Sequence, residues 1–144
     1  MKRNKKELTK KLNRIRGKIL SDTIEIEFLL TERIHRFFHP RQDHRATAFY
    51  WHILNTHKFS FDDKIQLFEK IPYFARLKSY NSIKNSLIFV RRLRNQLAHW
   101  ELLENKSKLD DIVLQDPIKL KEVIVNNKLL GEFDKRKEFL LSKL

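Results

Sequence analysis

Apolar residues recur along most of this chain at three- and four-residue intervals, the period of a helix with one buried face. Leu8, Leu12, Ile15 and Ile19 recur among Lys2, Arg3, Lys5, Lys6, Lys10, Lys11, Arg14, Arg16 and Lys18, which predicts an amphipathic basic helix over about 4–19. Its basic face suits an RNA backbone or plain solvent equally. Ser21 or Asp22 then caps a second helix, or the stretch from Gly17 to Asp22 kinks one long one. Either way Pro40 enforces a stop after about Phe38. Residues 39–48 are polar and read as a loop, and Ala46 to His57 read as a short aromatic helix around Phe49, Tyr50, Trp51, Ile53 and Leu54. Ser60 followed by Asp63 is the signature of a capping box before Ile65, Leu67, Phe68 and Ile71. Ser79 or Asn81 opens a helix through Ile83, Leu87, Val90, Leu93 and Leu97, ending near Trp100 to Leu103. Leu109 to Leu114 and Ile118 to Val125 are rich in β-formers around Asp116-Pro117, which predicts a small hairpin. Asn126 or Asn127 caps a last helix, weakened in its first turn by Gly131.

These elements make a mainly α protein. We expect one domain over 1–144, with a basic helix, a compact bundle of four to six helices over about 20–103, and a hairpin plus helix over about 109–144. Composition agrees. Two glycines and three prolines are too few for a many-stranded sheet protein, while eleven phenylalanines and two tryptophans supply a core. The absence of cysteine excludes disulfides, thiolate zinc sites and thiol catalysis. No apolar run reaches the length of a membrane span, and no apolar stretch follows the basic start as in a secretory signal, so a cytoplasmic protein is expected. A net charge of +13 points to a polyanionic partner, nucleic acid or an acidic protein, with a lysine-rich surface kept for solubility as the blander reading.

Two charges break the hydrophobic pattern. On an ideal helix with Ile83 at zero, Leu87 lies at about 40°, Val90 at about −20° and Leu97 at about −40°. Arg94 lies at about 20°, inside that apolar stripe. A buried guanidinium without a counter-charge costs several kcal/mol or more, so Arg94 needs a carboxylate, a phosphate or a wet cleft. Around the helix after Asp22, Ile24, Phe28, Leu30, Ile34, Phe37 and Phe38 form an apolar arc, and Glu27 falls within it. Glu27 and Arg94 are therefore candidates to meet. Such a pair would be purely structural unless more chemistry lay beside it.

His99 lies beside it in sequence. Asn95 and His99 are i and i+4 and share a face. A histidine titrates near neutral pH, and an arginine supplies fixed charge in a fork that matches phosphate. Metal-independent RNA cleavage needs these abilities: deprotonation of the 2′-OH, protonation of the 5′-oxygen, and stabilisation of the charge on phosphorus.

Arg94-Asn95-Gln96-Leu97-Ala98-His99 resembles the HEPN motif, an Arg, a polar residue, and a His after four to six intervening positions. Arg33 with His39, Arg45 with His52 and Arg92 with His99 also meet the bare spacing, but only Arg94 to His99 has the full RNxxAH form late in an amphipathic helix. The resemblance covers about 20–103. It implies a metal-independent endoribonuclease without cofactor, with Arg94 on the scissile phosphate, His99 as acid or base and Asn95 in support. Glu27 is the candidate for the polar residue the family often adds from an earlier helix, positioning Arg94. The resemblance also implies a homodimer with a composite cleft, and a toxin with an antitoxin partner or an anti-phage factor. Arg91, Arg92, Lys5, Lys6, Lys10 and Lys11 are candidates to hold the RNA backbone. Two other readings stay open: a non-catalytic module binding RNA or an acidic partner, and a structural Arg94–Glu27 ion pair whose loss unfolds the chain.

Other groups carry blander readings. His35, His39 and His44 are too loosely spaced for a metal site and read as packing or surface residues. His52 and His57 read as core-edge residues. Phe49, Tyr50 and Trp51 are placed on a buried face before a base-stacking surface. Asp62 with Asp63, and Asp110 with Asp111, read as caps or turns.

Overall fold

A computed structural model describes residues 2–98 and 128–144. The hairpin expected over 109–125 and the helix end expected near 100–103 lie outside these residues.

The basic N-terminal segment and the segment after Asp22 form one helix, α1 (Lys2–Phe38). Its buried line is Leu12, Ile15, Ile19, Thr23, Ile26, Leu30 and Ile34. These steps of three and four residues average close to the helical repeat, so the stripe stays straight for six turns. The buried Thr23 and Thr31 hydroxyls donate back to the Ile19 and Glu27 carbonyls at 2.7 and 2.8 Å, which keeps both satisfied. Continuity corrects the apolar arc expected from Ile24. Because the stripe is inherited from Leu12 to Ile19, it passes through Ile26 and Leu30 and leaves Ile24 and Phe28 outside, Ile24 at 68% exposure.

Helix α1 ends two residues before Pro40, as expected. The following loop is shorter than the predicted 39–48. The Asp43 carboxylate accepts from the Ala46 N–H at 2.9 Å and starts α2 (His44–Phe49), which runs into a π-helical turn over Tyr50–Leu54. The Ser60–Asp63 capping box forms in full at the head of α3 (Phe61–Lys70), and its hydrogen bonds hold the Asp63 carboxyl below its ordinary pKa. Pro72 opens the single turn α4 (Pro72–Ala75). Helix α5 (Tyr80–Ala98) buries Ile83, Leu87, Val90, Leu93 and Leu97, the stripe expected for it. The last described helix is α6 (Lys128–Lys143).

Helices α3, α5 and α6 pack on α1, and one apolar cluster joins all four, from Leu12 to Leu140. Arg16 reaches Ala98 at one end of the α1–α5 pair. At the other, the ring chain Phe37–Phe74–Phe68–Tyr80 links the end of α1 to the start of α5. The two helices therefore run antiparallel. Among the described residues, no helix is long and apolar enough to cross a membrane.

The resemblance did not account for the final helix, yet α6 is integral. Phe133 and Leu140 are fully buried. Above them runs a charge ladder: Lys18 bonds Asp22 at 2.9 Å and Asp134 at 2.8 Å, and Lys137 bonds Asp22 at 3.0 Å and Glu25 at 3.2 Å. Burial pushes the Asp22 pKa up, but hydrogen bonds from Lys18 and Lys137 outweigh it and the net shift is down. A carboxylate with a depressed folded pKa stabilises fully above its unfolded value, about 4, and loses that stability as pH falls through the folded value. Asp22→Asn should therefore cost about 1–3 kcal/mol at pH 7. Its deficit relative to wild type should shrink as pH is lowered past 4, read by urea unfolding at several pH values.

Candidate functional site

Arg94 lies about one turn before the described end of α5, on the line of Val90 and Leu97. Both of these are buried, while Arg94 is half-buried. Its Nη1 donates to the Asn95 Oδ1 at 3.0 Å. Among the described residues it has no carboxylate within ion-pair distance. Among the described residues, one donor of the five-donor fork is engaged, and by a neutral acceptor.

Glu27 does not supply the missing charge. Its Oε1 accepts from the Lys64 Nζ at 2.8 Å, and the Lys64 side chain is only 5% exposed. The expected Glu27–Arg94 pair is therefore corrected to Glu27–Lys64, joining α1 to α3. The register explains it. With Arg16 at Ala98 and the helices antiparallel, Glu27 falls opposite Leu87, about 10 Å along the axis from Arg94 at 1.5 Å per residue. Lys64 was legible in the sequence. Phe61, Lys64, Ile65 and Phe68 stand at helical spacing, and all four are buried. Three charges thus sit on apolar faces; two neutralise each other, and Arg94 has no counter-charge among the described residues.

Arg16 is the second residue the pattern did not flag. Its Nη2 donates at 3.3 Å to the Ala98 carbonyl. This brings another guanidinium to the residue that immediately precedes His99. His99 itself lies outside the described residues. Upstream of Arg16, α1 runs on past Ala98 for about 20 Å, carrying the exposed Lys6, Lys10 and Lys11. The side chain of Lys5 is not among those described. Arg91 lies 3.4 Å from Asp62 on α3, whereas Arg92 is exposed with no partner among the described residues.

The remaining histidines fall away from this end. His35 is 4% exposed and packs among His39, Phe49 and Tyr50, with ring centroids 5.3–6.2 Å away. His52 and His57, expected at the edge of the core, are exposed, as is Trp51. Among the described residues no group of three or more His, Asp or Glu could hold a metal ion. Asp62 pairs with Arg91, and Asp63 caps α3.

No family model, curated protein or solved structure matches the chain.

Glu27→Ala would leave the Lys64 ammonium buried without its partner, a loss of about 3–5 kcal/mol. The double variant Glu27→Leu/Lys64→Met should recover most of it, because an apolar pair of similar volume replaces the ions. Thermal and urea unfolding of the three proteins check both expectations.

Proposed function

We propose that this protein is a metal-independent endoribonuclease of the HEPN type. The observation that carries the reading is Arg94: a guanidinium held half-buried in an apolar stripe, one turn before His99 in sequence, with its fork open and no carboxylate in reach among the described residues. Such a charge costs stability unless a phosphate or water completes its shell.

In this reading Arg94 contacts the scissile phosphate through two N–H donors and stabilises the charge that grows on its oxygens. Asn95 accepts from Arg94 and so fixes the rotation of the fork. His99 moves the proton: the 2′-oxygen bonds to phosphorus, the P–O5′ bond breaks, and the 5′-oxygen takes up a proton. The products are a 2′,3′-cyclic phosphate and a 5′-hydroxyl. Arg92 and the lysines at positions 5, 6, 10 and 11 hold the flanking backbone. Glu27 has no part in this chemistry. The HEPN reading extends to a homodimer with a shared cleft, to an antitoxin or other regulatory protein partner, and to a cytoplasmic toxin or phage-defence role. The exposed Ile24 and Phe28 on α1 supply apolar surface for self-association.

The test is cleavage of a mixed single-stranded and structured RNA pool in EDTA. Wild type should yield 2′,3′-cyclic phosphate ends, and folded His99→Ala should be slower by about 100-fold or more. RNA bound without cleavage by either protein would favour a non-catalytic binding module.

A further inference from the structure

At the opposite end of α1 lies a groove that the proposed reaction does not use. Arg33, Arg36, Phe37, Tyr73 and Phe74 line a volume of about 300 Å³. Arg16 and Arg33 are 17 residues apart on one helix, so this groove lies about 25 Å along the axis from Ala98.

Its floor is aromatic and closely packed. Phe74 is buried and stacks on Phe68, with centroids 4.6 Å apart and planes 18° apart. Phe37 packs on Phe74 and on Tyr73, each with centroids at 5.5 Å. Pro72 starts the short turn that carries Tyr73, so its backbone is restrained. Yet the Tyr73 side of this stack faces solvent at 55% exposure, and Phe37 is also exposed. The rim is cationic. Arg33 has no partner among the described residues, and Arg36 meets Glu32 only at 4.0 Å on the surface. Exposed rings beside two available guanidiniums, in a chain of net charge +13, match a ligand that has both a flat π-face and negative charge.

We infer that this groove is a single-strand subsite, in which an unpaired base stacks on Tyr73 and Phe37 while Arg33 and Arg36 hold the adjoining phosphates. A duplex hides its base faces, so the subsite selects single-stranded segments. The inference rests on RNA being the partner, and it does not require cleavage.

The test uses the full chain and a fluorescent 2′-O-methyl 12-mer, which has no free 2′-OH and cannot be cleaved by transesterification, alone or annealed to its complement. Affinities are read by anisotropy at fixed salt. Tyr73→Ala should weaken single-strand binding about 5-fold or more and leave duplex binding within about 2-fold. Tyr73→Phe should keep wild-type affinity. Arg33→Gln/Arg36→Gln should lower the slope of log affinity against log salt by about 1 for the single strand. Tyr73 is surface-exposed, and circular dichroism melts verify that each variant is folded. Unchanged single-strand binding by folded Tyr73→Ala would overturn the assignment, as would equal losses for single strand and duplex. A polyglutamate peptide that binds as tightly as the oligonucleotide, with the same loss in Tyr73→Ala, would assign the groove to an acidic protein instead. Failure here leaves the nuclease reading intact, because that reading stands on cleavage and its dependence on His99.

Discussion

The apolar line of α1 is the constraint on which the rest of the molecule depends. It runs from Leu12 to Ile34, and α3, α5 and α6 each bury a face against that helix. Because the line is continuous, its phase is set by the first half of the helix and imposed on the second. That phase puts Ile26 and Leu30 inside and Ile24 and Phe28 outside. It also turns Glu27 toward α3, where Lys64 meets it. A buried ion pair of this kind adds little net stability but is costly to break, so it fixes the register of α3 on α1.

Within this arrangement the other charges on or beside the apolar faces find partners. Lys64 and Glu27 neutralise each other, and Lys18, Asp22, Asp134, Lys137 and Glu25 form the ladder that fastens α6. Arg94 has no such partner among the described residues, although its neighbours in the stripe are buried. Natural sequences break the local rule of apolar-inside chiefly where function requires it.

Much of this was legible in the sequence, for identifiable reasons. The helical period gave α1, α3, α5 and α6 but not the single turn α4, and the stop before Pro40, the capping box at Ser60 and the buried stripe of α5 follow from local chemistry. The misplaced position of Arg94 was visible for the same reason. That Glu27 would pair with Lys64 rather than with Arg94 was not. Helical phase places a charge on a face but says nothing of axial register, and Glu27 lies about two turns from Arg94 along the pair. Arg16 was hidden because a long side chain at the edge of a stripe looks like any solvated arginine until another helix arrives beside it. The start of α2 was missed because the Asp43 cap sits among polar residues that also suit a loop.

The most direct test of the central claim is to replace Arg94 by leucine and to measure stability and RNA cleavage on the same preparation. If Arg94 is held in the apolar stripe for a substrate phosphate, Arg94→Leu should be as stable as wild type or more so, by about 1 kcal/mol, and should lose cleavage by about 100-fold or more. A protein destabilised by several kcal/mol, or one that still cleaves RNA at the wild-type rate, would contradict it.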